Sequence, residues 1–256
     1  DAIGDFGYVS RVVGGFNYTL GNADNTVTGY APASLDNPDL RWEETSQANI
    51  GLEAMMFRNL SINFDWYKKV TKGILRPITI PGYVGVSSSP VANVADMENT
   101  GLELELGYRK RIGEVNFSAN GNISYLTNKV TYVASDANFI AGYASFQTMG
   151  PVTRIETGQS FNAFFGYKTN GVFQNYAEID AYRNDDGILI QPNAKPGDFK
   201  WVDVNNDGSI TDNDLDKTYL GNSLPKYTYG LTINLDYKGF DFMMFTQGVA
   251  GNMIFQ

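Results

Sequence analysis

The sequence contains no cysteine and no histidine. Without cysteine there are no disulfides, no thiolate metal site and no thiol nucleophile. Without histidine there is no Ser-His-Asp triad, no imidazole metal site and no imidazole general base. Only chemistry run by carboxylates alone survives that filter. Basic residues are also in the minority, 19 Lys and Arg against 28 Asp and Glu for a net charge of -9. That balance argues against a nucleic-acid-binding surface. No apolar run approaches the ~18 residues that a transmembrane helix needs. The start at Asp1, without an initiator Met or a signal-like segment, and the end at Gln256 in mid-pattern read as a segment of something longer.

What is present is aromatic and strictly alternating. Aromatic residues make up 14% of the 256, with 16 Tyr and 16 Phe, and Tyr suits a boundary that is apolar on one side and wet on the other. From Gln47 to Met56 the even positions read Ala48, Ile50, Leu52, Ala54 and Met56, against Gln47, Asn49, Gly51 and Glu53. After a turn at Phe57 to Asn59, Leu60, Ile62, Phe64 and Trp66 oppose Ser61, Asn63 and Asp65. The same pattern sets Leu102, Leu104, Leu106 and Tyr108 against Glu103, Glu105 and Arg109, then Val115, Phe117, Ala119, Ile123 and Tyr125 against Asn and Ser. A third pair runs from Tyr227 to Tyr237 and resumes at Phe240 beyond Lys238-Gly239. Alternation of this kind gives strands with one apolar and one polar face. Runs of roughly ten residues match a tilted transmembrane strand and exceed the usual five or six.

Short turns alternate with long segments rich in Gly, Asn, Asp, Ser and Pro: residues 70–99, 128–159 and 171–225. Compact soluble domains rarely carry several such loops, whereas outer-membrane barrels place them outside the cell. A short helix is expected at Ala177 to Tyr182, and residues 1–41 read mostly as loop with a candidate strand from Tyr8 to Tyr18. About seven strands are expected, too few to close a wide barrel. The competing fold is a soluble β-sandwich, which also alternates. The polar faces, Asn, Ser, Thr and Gly with few charges, suit a water-filled lumen better than a solvated surface. Aromatic residues near strand ends (Trp66, Tyr67, Tyr108, Tyr125, Tyr227, Tyr229, Tyr237) sit where a membrane girdle would put them.

One motif carries chemistry. Asp203, Asn205, Asp207, Gly208, Ser209 and Asp214 occupy positions 1, 3, 5, 6, 7 and 12 of a calcium-loop pattern. Side chains at the first three ligand positions, a carbonyl at Ser209 and a carboxylate at Asp214 can wrap a hard cation. Asp214 replaces the usual Glu with a shorter arm, and the flanking Phe199 to Val202 reads as extended and not helical. The competing reading is an acidic, turn-rich loop that binds nothing. Glu103 and Glu105 could mimic glycosidase carboxylates, but with Arg109 on their face they read as a charged wall. Gly82-Tyr83-Val84-Gly85 lacks the Lys and the helix of a phosphate loop. Tyr143, Phe146 and Trp201 are candidates for stacking on a sugar or a peptide, with loop packing the alternative.

Three stretches resemble the SusC/RagA branch of TonB-dependent receptors. They are Asn37-Pro38-Asp39-Leu40-Arg41-Trp42-Glu43; Gly197-Asp198-Phe199 leading into Asp203 to Ile210 and Gly221-Asn222; and Pro225 to Leu231 followed by Tyr237 to Asp241 and Gln247-Gly248. The resemblance implies an all-β chain that forms part of a 22-stranded transmembrane barrel, with residues 1–256 in the barrel domain. The ligand spacing, and not the resemblance, makes 197–221 an outer loop expected to hold calcium as a structural cofactor. The resemblance also implies import across the outer membrane of a Gram-negative bacterium and no enzyme activity. The implied partners are TonB, through a segment outside this sequence, a SusD-like surface lipoprotein, membrane lipid, and an oligosaccharide or oligopeptide cargo. The alternative is a soluble, calcium-stabilised β-domain that binds a glycan.

Overall fold

The structure, a computed structural model, describes residues 8–19, 26–78, 80–86, 88–142, 150–211 and 214–255. In chain order the strands begin with a hairpin, β1 (Val12–Thr19) and β2 (Thr26–Pro32). Four long strands follow: β3 (Glu44–Met56), β4 (Leu60–Pro77), β5 (Val91–Ile112) and β6 (Val115–Val133). Shorter strands come next, β7 (Phe139–Ala141), β8 (Thr153–Glu156), β9 (Ala163–Tyr167) and β10 (Thr169–Val172), then helix α1 (Tyr176–Ala181), β11 (Phe199–Trp201) and β12 (Lys217–Gly221). The last two strands are β13 (Tyr227–Tyr237) and β14 (Phe240–Ala250).

Six strands form one antiparallel sheet in the order β14-β13-β6-β5-β4-β3. Its three hairpin turns all lie at one end, and the long connections β4–β5 and β6–β13 lie at the other. Local chemistry makes the turns. Phe57 and Arg58 are both left-handed, with Asn59 N–H donating to Met56 O at 3.2 Å. Lys238 and Gly239 are also left-handed, and Gly113 opens the β5–β6 turn at φ 62°. Turns of this hand match the twist of paired strands.

Register confirms the two faces. One row reads Ile50, Trp66, Leu102, Tyr125, Tyr227 across five strands, and the row beneath reads Leu52, Phe64, Leu104, Ile123, Tyr229. The opposite face carries Glu53, Asn63, Glu105, Asn122 in one row, and Asp65, Glu103, Ser124, Thr228 in the next. The apolar face is bare: Ile50 is 68% exposed, Leu52 60% and Phe242 57%. A sandwich would cover these residues with a second sheet, so the soluble reading does not describe this sheet. The girdle is in register for Trp66, Tyr125 and Tyr227, level with one another, and Tyr237 near the hairpin end, whereas Tyr67 falls on the polar face with its ring over Gly101. Ten residues separate Tyr227 from Tyr237, about 33 Å along the strand. At a tilt near 45° this spans about 23 Å, close to the apolar band of an outer-membrane barrel.

The central strands continue past that band. β4 has 18 residues, β5 has 22 and β6 has 19, so much of the expected loops 70–99 and 128–159 is strand. A bulge at Gly73 (φ 66°) marks the change, where a Cβ would meet Asn93 Nδ2 at 3.0 Å. The Asn93 amide donates there to Gly73 O and Arg41 O. Beyond the bulge lies the buried core: Ile74, Val94, Ala95, Val130, Val133 and Ile155, with Ile140 and Phe161 packed against it. The expected strand between Tyr8 and Tyr18 is observed as β1, and pairing with β2 replaces much of the loop expected over residues 1–41. The expected helix is α1, capped by Asn175, whose side chain accepts from Glu178 N–H.

The bare apolar face generates a direct expectation. Leu104→Arg or Ile233→Arg lowers stability in lipid by about 2–4 kcal/mol, while Asn120→Arg on the opposite face costs far less. Denaturant titration of the whole protein folded into lipid vesicles measures the difference, and equal costs on both faces would contradict the assignment.

Candidate functional site

Above the long-loop end of the sheet, the described residues between 134 and 226 (134–142, 150–211 and 214–226) fold into a further layer. β7, β8, β9 and β12 form a four-stranded sheet in the order β12-β9-β8-β7, and β10 pairs with β11 beside it. Phe173 (0% exposed), Ile179 and Ile190 supply a small apolar centre around α1. Tyr182 Oη donates to Trp201 O at 2.5 Å, fastening the helix end to β11. This layer holds the aspartate loop.

The loop is tightly wound. Asp203 Oδ2 accepts Gly208 N–H at 2.8 Å, Asn205 Oδ1 accepts Asp207 N–H at 3.1 Å, and Asp207 Oδ1 accepts both Ser209 N–H and Oγ–H at 2.9 Å. Asn206 and Gly208 are left-handed, and a Cβ on Gly208 would strike Ile188 at 2.8 Å. Glycine is required at that position by both φ and space. Asn184, nearly buried, donates to Asn206 O and ties the loop to the segment after α1. Hydrogen bonds from Asn205 and Ser209 hold the Asp207 carboxyl below its ordinary range.

The five candidate ligands do not share one environment. Asp203 Oδ1 is buried without a hydrogen-bond partner, an oxygen placed as a cation ligand would be. Asp203, Asn205, Asp207 and Ser209 sit together on the wound segment. Asp214 turns elsewhere: its oxygens take Lys217 Nζ at 2.6 Å and Arg154 Nη2 at 2.7 Å. The carboxylate that closes the loop is Asp216, fully buried, accepting Val204 N–H at 3.3 Å and Thr211 N–H at 2.9 Å. Among the described residues no three acidic side chains converge at metal distance. The donors are all hard oxygens, as calcium requires, but the observed ion pairs draw Asp214 away from the others.

Sequence reasoning missed both Asp216 and Arg154. Three aspartates alternate along 212–216, so spacing alone selects the one that fits a twelve-position template. The observed closing residue lies two positions later. Arg154 lies outside every motif, yet its guanidinium stacks 3.7 Å from the Phe139 ring centre and 3.5 Å from that of Phe165. Stacking leaves its edges for Asp214 and Glu156, and Glu156 also accepts from Tyr219 Oη. Burial and that carboxylate push the Tyr219 phenol well above its ordinary range. The stack joins the aspartate loop to β8 and β9. Tyr143, Phe146 and Asp212 lie outside the described residues, whereas Trp201 lies 5.9 Å from Tyr167 and 5.3 Å from Phe199, ring centre to ring centre.

On the sheet below, Glu103 lies opposite Asp65, and Glu105 opposite Asn63. They line a shallow recess of about 270 Å³ with Asn122, Ser124 and Thr228. Its walls are side chains of paired, regular strands. This agrees with a polar wall and gives no support to a hydrolytic pair.

Comparison with known proteins bears on the same features. Residues 6–187 match the family model described as "TonB dependent receptor-like, beta-barrel". A TonB-dependent receptor of Formosa agariphila is 32% identical over 289 residues, covering 100% of this chain and 26% of its own length. The TonB-dependent receptor SusC of Bacteroides thetaiotaomicron is 23% identical over 260 residues, covering 98% and 24% respectively. Among solved structures, that of the RagAB peptide transporter superposes with a TM-score of 0.72 at 24% identity, over 98% of this chain and 25% of that one. The chain thus spans about a quarter of the length of the proteins it matches.

The ion pairs give a pH expectation. Lys217 and Arg154 hold the Asp214 carboxyl below its ordinary range. A depressed folded-state value stabilises above the unfolded value near 4 and is lost as pH falls through the folded one. Protection of segment 197–221 from acid-tolerant protease should therefore drop below about pH 4, and Arg154→Met should show reduced protection already at neutral pH. Unchanged protection in that variant would contradict the clamp.

Proposed function

The chain belongs to the TonB-dependent receptor β-barrel family, and from that premise we propose that the whole protein imports an oligosaccharide or oligopeptide across the outer membrane. Members of this family are transporters and not enzymes. The observation that carries the reading is the two-faced meander: a bare apolar band with a girdle outside, an Asn/Ser/Glu face inside, and a folded layer at the long-connection end. A polar inner wall lets hydrophilic cargo pass along the strands, and lipid covers the other face. The layer of 134–226 is the outer surface that meets cargo, with a SusD-like surface lipoprotein as its lid. The RagAB peptide transporter, which this chain resembles, supports a peptide as one choice of cargo; the glycan alternative and the lipoprotein lid rest on the SusC/RagA resemblance of the sequence. Energy reaches the barrel through TonB, by a segment outside this sequence.

Calcium belongs to the same proposal as a structural cofactor of the 197–221 loop. Asp203, Asn205, Asp207 and the Ser209 carbonyl would hold it, and the unpartnered Asp203 Oδ1 supports the assignment. Asp214 joins only by leaving Arg154 and Lys217. The ion would neutralise the acidic loop and order it.

Two measurements test these statements. Uptake of labelled cargo by cells carrying the whole protein should fall to background when the proton gradient is collapsed or TonB is deleted. Uptake that continues would contradict TonB-driven import. For the loop, added calcium should slow proteolysis between Gly197 and Gly221 in the whole protein, and Asp203→Ala should abolish that effect while the barrel stays folded. Indifference to calcium would remove the cofactor.

A further inference from the structure

The outer layer contains a recess of about 430 Å³ built entirely from residues 190–210. Its apolar surface comes from Phe199, Trp201 and Ile210, and its polar edge from Asn193 and Asp198. We propose that this recess is a binding subsite for a neutral sugar residue of an oligosaccharide. The assignment rests on the import reading above and narrows its cargo to glycan.

The backbone that carries the aromatic pair is held in place before any ligand arrives. The Gln191 side chain lies along β11 like a neighbouring strand, its amide donating to Phe199 O at 3.1 Å and its carbonyl accepting Trp201 N–H at 2.8 Å. On the other edge β10 pairs with the same residues, Val172 opposite Phe199 and Thr169 opposite Trp201. Tyr182 fixes the Trp201 carbonyl. A fixed backbone sets the two rings side by side, 5.3 Å apart between centres, and so lowers the ordering cost on binding. Phe199 remains 55% exposed, far more than packing requires of a phenyl ring.

The chemistry of the lining selects the ligand. Sugar rings present C–H faces to aromatic rings and hydroxyls to amide and carboxylate groups, and the recess offers both. None of the described residues lining it is basic, which disfavours an anionic ligand. A peptide bound by strand addition needs a free strand edge. At β11 both edges are occupied, one by β10 and one by Gln191. The volume lies within the range of small-ligand pockets, enough for one or two sugar rings. Ile210 lies within the aspartate loop and forms one wall, so order in that loop shapes the recess.

The test uses the whole transporter in detergent, with maltohexaose, cellohexaose and xylohexaose as probes and an uncharged decapeptide as competitor. Calorimetric titration should show saturable binding of at least one saccharide, about tenfold weaker in Phe199→Ala, the scale expected for loss of an aromatic anchor. Asn193→Ala should weaken it less, and Tyr229→Ala on the far face of the barrel should not change it. Phe199 is exposed, so its truncation leaves the fold intact. Absence of saccharide binding, binding indifferent to Phe199→Ala, or Phe199-dependent displacement by the decapeptide would each overturn the assignment. The import reading is judged separately by gradient dependence: gradient-driven uptake beside Phe199-independent sugar binding overturns only the subsite.

Discussion

The constraint on which this structure depends is the pairing of backbone hydrogen-bond groups where water is absent. In a hydrocarbon slab each unpaired N–H or C=O costs several kcal/mol, so only helices and closed sheets cross it. The six-stranded sheet pairs its four inner strands on both sides within the apolar band and leaves the outer edges of β3 and β14 without a partner strand in it. Those edges require further strands, and the chain covers only about a quarter of its relatives. The wall is therefore an arc of a larger closed barrel, in which no edge remains.

From the same constraint comes the distribution of burial. Inside the apolar band no side-chain core forms, because one face meets lipid and the other the lumen; the 13 residues of β3 contain none that is buried. The core appears only where β4, β5 and β6 run past the band and β7 and β8 cover them. There the chain behaves as a soluble protein, with Val94 and Ala95 both buried although adjacent. Polar groups are satisfied one by one, as Asn128 shows by donating to Asn99 and accepting from Ser160 and Phe161.

This division explains what could be read from sequence. Residues 47–66, 102–125 and 227–244 alternate because lipid and lumen impose opposite demands on successive side chains, and the observed register agrees with that alternation residue by residue. The turn at Lys238-Gly239 was legible from its glycine, and α1 from its short polar-apolar pattern. The extensions of β4, β5 and β6 were read as loops because both of their faces become buried or partly covered, and the period of two disappears. β2 was missed for a related reason, since its support is a single partner strand and not a face. In the outer layer the ligand-like residues were visible as a spacing. Their contacts were not, because Arg154 reaches Asp214 across 60 positions of chain. Gln191 likewise clamps β11 with a side chain, and no periodicity encodes that.

The central claim is the orientation of this wall, with hairpins on one side of the membrane and the folded layer outside. Single cysteines placed in an otherwise cysteine-free version of the whole protein test it most directly, using a membrane-impermeant maleimide on intact cells. Cysteines at Ser88 and Asn193, both exposed on the long-connection side, should label in intact cells. Those at Asn59 and Gly113, in the hairpin turns, should label only after the cells are opened. Labelling in the opposite sense, or equal labelling at all four sites in intact cells, would contradict the account.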